Sequence, residues 1–252
     1  EIRVQLSGLA NTEIYLAELY QGKTYIIDTA RMDNNSLALL HSSKNLPEGI
    51  YYIVLPTKHS IEFLLGEDQQ LKILASSLSM GNKMKIEGAV ESKLYDKYKR
   101  HTVQKEKQVN ELRRKFFSIG DKESIEVLRI KQLNIEREYN DSVESIKEEM
   151  PVNSVLSLYI DADQDIELAE DISPELLGDS TFLMRSIFYK RQHYFDALDL
   201  SDARVLRLPQ LPHKLDRFFT RISSSDNDSI VEYADRLLNT EPIDIEVFKY
   251  II

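Results

Sequence analysis

The run from Asp161 to Asp165 combines residue types and a spacing that can bind a cation. Its carboxylates stand at alternate positions, as in the first half of an EF-hand calcium loop, and the run reads Asp161-Ala162-Asp163-Gln164-Asp165. The second half of the loop is missing, because Ile166 stands where Gly is required and Ile172 where a bidentate Glu is required. We therefore expect an acidic connector between two helices, with a calcium site as the alternative.

A second pair with chemical potential is His193 and Asp196, three residues apart on a predicted helix. This spacing can place an imidazole base beside an orienting carboxylate, or two metal ligands side by side. Nearly any helical histidine has a carboxylate within four residues. We therefore expect His193 to be a surface or partly packed side chain beside Tyr189.

Motifs for covalent and cofactor chemistry are missing from the sequence. Cysteine is absent, which excludes a dithiol centre, an iron–sulfur cluster, a thiolate zinc site and any disulfide. No nucleophile elbow, zincin helix, dinucleotide-binding glycine fingerprint or Walker loop can be assembled. We expect no catalytic residue, cofactor or metal in this chain. A hydrolase built on His193 or the acidic run at 161–165 is the outlying alternative.

A basic stripe follows Tyr95 and Tyr98 along a predicted helix. Its members are Lys97, Lys99, Arg100, His101, Lys105, Lys107, Arg113, Arg114 and Lys115. Such a stripe can bind nucleic acid, but the net charge of −10 opposes that function. The helix that follows is rich in Glu. We therefore expect the basic side chains to pair with it or to be solvated, and we predict no nucleic-acid partner.

Aromatic side chains offer one more kind of binding site. The candidate platform for a carbohydrate consists of Tyr15, Tyr20, Tyr25, Tyr51 and Tyr52. Aromatic clusters later in the chain have helical spacing, which favours core or interface packing: Phe188-Tyr189, Tyr194-Phe195 and Phe218-Phe219. A glycan site on the first part of the chain remains open as an alternative.

The elements that position these residues change type near Gly88. Before it, short alternating runs are separated by turn residues, which predicts strands at Ile2–Leu9, Ile14–Leu19, Lys23–Thr29, Ser36–Leu40, Ile50–Leu55, Ser60–Leu65, Gln70–Ala75 and Lys83–Gly88. Eight strands at this spacing indicate an antiparallel β-sandwich or a small barrel over residues 1–90. With 252 residues and 42% hydrophobic content, the chain can bury two modest cores.

Residues 91–252 have helical periodicity, so we predict an α+β protein of two domains. Apolar spacing over 91–149, broken at Gly120-Asp121, indicates a long helical hairpin. Shorter helices are predicted over 150–252, at Asn153–Ile160, Pro174–Leu177, Ser180–Leu198, Pro212–Ser223, Ser229–Asn239 and from Ile245 onward. The final stretch is apolar up to Ile252. We therefore expect its helix to continue in a longer protein.

The first part of the chain contains six phrases that together form a family pattern: Leu6-Ser7-Gly8-Leu9, Thr12-Glu13-Ile14-Tyr15-Leu16, Ile27-Asp28-Thr29, Glu48-Gly49-Ile50-Tyr51, Ile86-Glu87-Gly88-Ala89-Val90-Glu91-Ser92 and Tyr95-Asp96-Lys97-Tyr98. Through these phrases the first part resembles the N-terminal domain that precedes the thioredoxin domain in extracytoplasmic thiol-disulfide oxidoreductases of Bacteroidota. The family has a Gly-Ser-Lys-Glu-Asn type of phrase where this chain has Gly88-Ala89-Val90-Glu91-Ser92.

The second part resembles the helical domain of unknown function that often follows in such proteins. Its matching phrases are Asp199-Leu200-Ser201-Asp202-Ala203-Arg204-Val205-Leu206-Arg207-Leu208-Pro209, Lys214-Leu215-Asp216-Arg217-Phe218-Phe219, Asp228-Ser229-Ile230 and Ala234-Asp235-Arg236-Leu237-Leu238. In the family a thioredoxin-like domain with Cys-x-x-Cys follows. No residue of this chain corresponds to that motif.

The resemblance implies a non-catalytic N-terminal region of a periplasmic thioredoxin-like protein, held at the membrane only through a removed N-terminal lipid anchor. Its expected role is to position the redox domain or to bind a client, so its partners would be a protein client and its own C-terminal thioredoxin-like domain. The alternative is a free-standing cell-envelope module that binds a glycan or a peptide.

Overall fold

The computed structural model describes residues 1–76, 84–116, 122–164, 166–169, 171–172, 179–222, 227–240 and 242–252, with the backbone alone at 122, 123, 179 and 227–229. Within these ranges the chain forms an eight-stranded β part followed by helices. The predicted α+β architecture is confirmed.

The β part is a sandwich of two four-stranded sheets. Its strands are β1 (Ile2–Ser7), β2 (Glu13–Tyr20), β3 (Lys23–Arg31), β4 (Leu37–Leu40), β5 (Gly49–Val54), β6 (Ser60–Leu65), β7 (Leu71–Ser76) and β8 (Lys85–Gly88). The sheet orders are β4-β1-β7-β8 and β3-β2-β5-β6. All eight strands were predicted, and the two sheets decide for the sandwich over the barrel.

One strand pair departs from the predicted antiparallel pattern. Strands β1 and β7 are parallel, with Val4 opposite Ile73, whereas the other pairs are antiparallel. A parallel pair requires a crossover connection rather than a hairpin. Here β2, β3, β5 and β6 of the intervening chain lie in the other sheet, and β7 then returns beside β1. Turn residues in the sequence predict only hairpins between neighbouring strands.

The interior of the sandwich follows directly from the period of two. Ile2, Val4 and Leu6 alternate inward along β1, and Tyr51 and Ile53 do the same along β5. These side chains are buried in one apolar cluster. At about 25 cal/mol per Å² of buried apolar surface, this cluster is the main stabilising contribution in the β part.

The helical part begins with the predicted hairpin. Its helices are α1 (Val90–Phe116), α2 (Lys122–Glu149), α3 (Val155–Asp163), α4 (Asp179–Gln192), α5 (Gln210–Arg217), α6 (Asn227–Leu238) and α7 (Ile245–Ile251). Among these described helices none is both long and apolar enough to cross a bilayer. The predicted break at Gly120-Asp121 and the predicted helix Pro174–Leu177 lie outside the described residues.

One short helical turn was not predicted, and one predicted helix is shorter than expected. A 3₁₀ helix covers Ala203–Arg207, where no helix was predicted. The predicted helix Pro212–Ser223 is α5 followed by a π-helical turn at Phe218–Ile222. Helix α4 ends at Gln192 instead of Leu198. Beyond it, the Leu198 amide bonds to the Phe195 carbonyl in a tight turn. This turn directs Leu198 and Leu200 into a third apolar core with Val205 and Leu211.

The two parts of the chain share a second core. Leu19, Ile50 and Leu64 project from the outer face of the β3-β2-β5-β6 sheet. They pack against side chains of α1, α2 and α3, namely Leu94, Tyr95, Tyr98, Val143, Ile146, Val155, Leu156, Tyr159 and Ile160. One sheet of the sandwich therefore has cores on both faces.

Polar contacts reinforce this joint. Arg207 pairs with Glu18 of β2 at 2.5 Å, and Arg204 pairs with Glu48 at 2.6 Å. Gly49 allows the 3₁₀ helix to lie close, because a Cβ built on Gly49 would stand 2.5 Å from the Cβ of Arg207. The 3₁₀ helix is thereby held against the start of β5 and the middle of β2.

Candidate functional site

The acidic run does not form the predicted connector. Asp161 and Asp163 lie in the last turn of α3, whereas Asp165 lies outside the described residues. Lys147 pairs with Asp161 at 3.1 Å, and the hydroxyl of Tyr98 donates to Asp163 at 2.7 Å. Residues two apart on a helix do not face each other, so the two carboxylates serve different contacts. Within the described ranges, no group of three or more His, Asp or Glu residues could hold a metal ion.

The His193 ring lies beside Tyr189, as its spacing predicts, with 4.0 Å between the ring centroids. Its Nδ1 is 2.5 Å from a carboxylate oxygen of Asp196. Both side chains are partly or largely exposed. The pair therefore has the geometry of a local surface contact.

The basic stripe on α1 is only partly paired with α2. Lys97 reaches Glu149 of α2 at 2.8 Å, and Lys105 stacks on the ring of Tyr139 at 4.2 Å. Arg100 pairs with Asp96 on its own helix. Lys99 points the other way, to Glu62 of β6 at 3.3 Å. The sequence did not predict this orientation of Lys99. It places Lys99 in the lining of a cleft between the sheet and the helices.

The five tyrosines of the β part do not form one exposed platform. Tyr51 is buried inside the sandwich and donates to the carbonyl of Pro47 at 2.7 Å. Tyr52 is packed against the helices in the shared core. Burial raises the pKa of both phenols. Tyr51 is therefore structural, whereas Tyr52 also lines a cleft between its sheet and the helices.

A cleft of about 770 Å³ lies where strands β5 and β6 meet α1, α3, α4, α5 and the π-helical turn. We call it the cationic cleft, because the Lys and Arg side chains that line it in the described part of the chain are Lys99, Lys190, Arg191, Lys214, Arg217 and Arg221. The described carboxylates in its lining are Glu62 and Asp163. This excess of positive charge contrasts with the acidic chain around it.

Both carboxylates of the cleft already have partners. Glu62 accepts the hydroxyl of Tyr95 at 2.5 Å and pairs with Lys99, and Asp163 accepts the hydroxyl of Tyr98. The remaining cations are less compensated. Among the described residues no carboxylate pairs with four of them, which are Lys190, Arg191, Arg217 and Arg221.

Two buried polar atoms of residues that line the cleft have no hydrogen-bond partner within the described part of the chain. They are Nε of Arg191, a donor, and Oε1 of Gln210, an acceptor. Gln210 is only 6% exposed, and both residues line the cationic cleft. An unpaired buried polar group costs about 1–3 kcal/mol. Because both atoms are buried, a ligand in the cleft reaches them only if the two side chains reorient.

A tyrosine network lies between α1, α2 and α3, and its member Tyr159 lines the cleft. The rings of Tyr95 and Tyr159 are 5.0 Å apart in an edge-to-face arrangement, and the hydroxyl of Tyr139 donates to that of Tyr98 at 3.1 Å. Burial raises the pKa of Tyr95, Tyr98 and Tyr159 above the ordinary value of tyrosine. These phenols are therefore neutral at physiological pH.

Lys99 stays protonated beside Tyr159 of this network. Its burial lowers its pKa, but Tyr159 and Glu62 raise the pKa by more, so that the net pKa lies above the ordinary value of lysine. A base or nucleophile that works near neutral pH needs the opposite shift. Lys99 is therefore a fixed positive charge of the cleft.

Sequence reasoning missed the cationic cleft because its cations come from separate elements. Lys99 lies on α1, Arg191 on α4, and Arg217 on α5. One signal was present in the sequence. Lys214, Arg217 and Arg221 stand at i, i+3 and i+7, which places three cations on one helical face of an acidic chain.

Comparison with known proteins assigns no ligand to this cleft. No protein-family model, curated protein or solved structure matches the chain. A function can therefore be inferred only from the residues of the cleft.

Proposed function

We propose that this chain is a non-catalytic binding module whose cationic cleft holds an anionic ligand. The observation that carries the proposal is the lining of the cleft, where no described carboxylate pairs with Lys190, Arg191, Arg217 or Arg221. Charges that are withdrawn from water in proteins are usually paired or hydrogen-bonded. An anion in the cleft offsets these four cations.

The charge states support binding over catalysis. Lys99 has a raised pKa, and so do the buried tyrosines, of which Tyr98 is an example. Neither group is poised to exchange a proton near pH 7. The cleft instead offers fixed positive charge and neutral, rigid aromatic walls.

The size of the cleft limits its ligand. Pockets for small ligands enclose about 300–1,000 Å³, and the cationic cleft, at about 770 Å³, falls in this range. It suits one or a few anionic groups rather than a length of polynucleotide. The acidity of the chain as a whole, −10, also opposes a polynucleotide.

The test is a titration of the whole chain with citrate and, separately, with inorganic phosphate, followed by thermal unfolding. Binding to the native state raises the melting temperature by mass action. The double variant Arg217→Gln/Arg221→Gln removes two cleft cations and should lose most of the rise. Arg129→Gln, an exposed arginine on α2, is the matched control and should keep it.

The proposal fails if neither anion raises the melting temperature of the unmodified chain. It also fails if the double variant responds as strongly as the Arg129→Gln control. The rise should shrink as sodium chloride is added, because salt screens the attraction between an exposed cation and an anion.

A narrower proposal follows from the resemblance described above. The module would precede a thioredoxin-like domain in the periplasm and bind or position its client. In its support, phrases from the two resembling parts meet in space, since Glu48 pairs with Arg204 and Gly49 accommodates Arg207. The test is the reading frame downstream of Ile252. A frame without a Cys-x-x-Cys domain would leave the free-standing module for a glycan or peptide.

A further inference from the structure

Helix α4 presents an apolar stripe to solvent. Leu183, Met184, Ile187 and Phe188 are between 44% and 72% exposed. Their spacing of i, i+1, i+4 and i+5 places them on one side of the helix. Large contiguous apolar patches on soluble proteins mark interaction sites. Methionine adds adaptability, because its unbranched side chain fits partners of varied shape.

The stripe leads directly into the cationic cleft. Ile187 belongs to both, because it also lines the cleft. Lys190 and Arg191 follow it at i+3 and i+4, so they lie on the same face of α4, about one turn further along. One helix face thus changes from apolar to cationic in the direction of the cleft.

The apolar stripe distinguishes between kinds of anion. Phosphate and citrate carry negative charge but no apolar group that could cover Leu183, Met184 and Phe188. A polypeptide combines carboxylate and apolar side chains along one chain. A peptide with both kinds of side chain can therefore neutralise the cations and cover the stripe at the same time.

We propose that the cationic cleft and the apolar stripe together bind a short protein segment that combines carboxylates with apolar side chains. The carboxylates occupy the cleft beside Arg191, Arg217 and Arg221. The apolar side chains cover Leu183, Met184 and Phe188. This proposal rests on the anion-binding function proposed above and names the class of its ligand.

Three fluorescently labelled model peptides of about 15 residues test this proposal with the whole chain by fluorescence anisotropy. The first has Leu on one helical face and Glu on the other. In the second, Gln replaces every Glu, and in the third, Ser replaces every Leu. We expect the first peptide to bind, and each of the others to bind at least about tenfold more weakly.

Variants of the chain locate the binding. Met184→Glu places a negative charge on the stripe and should weaken the first peptide about tenfold. It should leave the citrate-induced rise in melting temperature unchanged. Val231→Glu adds the same charge at an exposed apolar position of α6 and should change neither measurement. Both positions are exposed, so both variants should fold.

The outcomes separate this inference from the proposed function. If citrate stabilises the chain but the first peptide binds no better than the other two, the inference is wrong and the anion site stands. If neither citrate nor any peptide binds, both proposals are wrong. If Met184→Glu and Val231→Glu weaken the peptide equally, the stripe is not the docking surface, and the inference falls.

Discussion

The buried carboxylate of Glu91 accepts a hydrogen bond from the hydroxyl of Ser154, and this contact ties the start of α1 to the start of α3. The same carboxylate also accepts the backbone amides of Leu156 and Glu67, at 3.4 and 3.3 Å. Its neighbour Ser92 donates to the carbonyl of Leu64 in β6 at 2.6 Å. Glu91 and Ser92, at the start of α1, therefore contact both α3 and β6.

Replacing Glu91 by alanine should destabilise the protein by about 2–4 kcal/mol. The side chain is only 5% exposed, and its loss leaves the Ser154 hydroxyl and the Glu67 amide without their acceptor, whereas the Leu156 amide keeps Ser154 Oγ at 3.1 Å. The measurement is the free energy of unfolding in urea. Glu87→Ala, which breaks an exposed pair with Lys85, is the control and should change stability little. Equal effects of the two substitutions would contradict the role given to Glu91.

Gly66→Ala should also destabilise the protein, by about 1–3 kcal/mol, because a Cβ on Gly66 would stand 1.8 Å from Oε2 of Glu91. A double-mutant cycle tests the cause. In the Glu91→Ala background the same substitution should cost clearly less, since the clashing carboxylate is gone. If Gly66→Ala destabilises the protein equally in both backgrounds, a clash with Glu91 is not the cause.

Alkaline pH should unfold the protein through its buried tyrosines. Burial and Asp163 raise the pKa of Tyr98 above the ordinary value of 10.0. The unfolded state therefore loses the phenolic proton at a lower pH than the native state does. This contribution to stability is complete below pH 10.0 and is lost as pH rises above it.

Each such tyrosine contributes a slope of up to about 1.4 kcal/mol per pH unit above that point. Tyr98→Phe should reduce the slope, and it should also cost about 1 kcal/mol at neutral pH through the lost bond to Asp163. Tyr25→Phe changes an exposed tyrosine and should leave the slope as it is. The check is the free energy of unfolding in urea between pH 8 and 11, a range that brackets the ordinary tyrosine pKa of about 10. Identical slopes for both variants would rule out Tyr98 as a source.

A fragment of residues 1–89 should not reach the stability of the β part in the whole chain. Without the helices, Leu19, Ile50 and Leu64 lose the core that covers the outer face of their sheet. Each of these side chains contributes about 1.5–3 kcal/mol when it is buried. Hydrogen exchange of the β-strand amides should be faster in the fragment than in the whole chain. Equal protection would show that the division at residue 90 separates independent folding units.

Local pattern predicted most of the secondary structure. The alternation along β1 and the helical spacing along α1 depend on near neighbours, so the sequence contains them directly. The sequence predicted the ends of the helices less accurately. Helix α4 stops at Gln192 rather than Leu198 because Leu198 and Leu200 turn into a core that only the folded chain forms.

The sequence by itself determined the order of the strands and of the described α-helices, the absence of thiol chemistry and the acidity of the chain. Periodicity depends on near neighbours in the chain, and composition is a total over the chain. Folding changes neither of them. Tertiary structure alone decided the parallel pairing of β1 with β7 and the joining of Glu48 to Arg204. It also decided the cationic cleft, because Lys99, Arg191 and Arg217 are far apart in the chain and meet only where α1, α4 and α5 line one cleft.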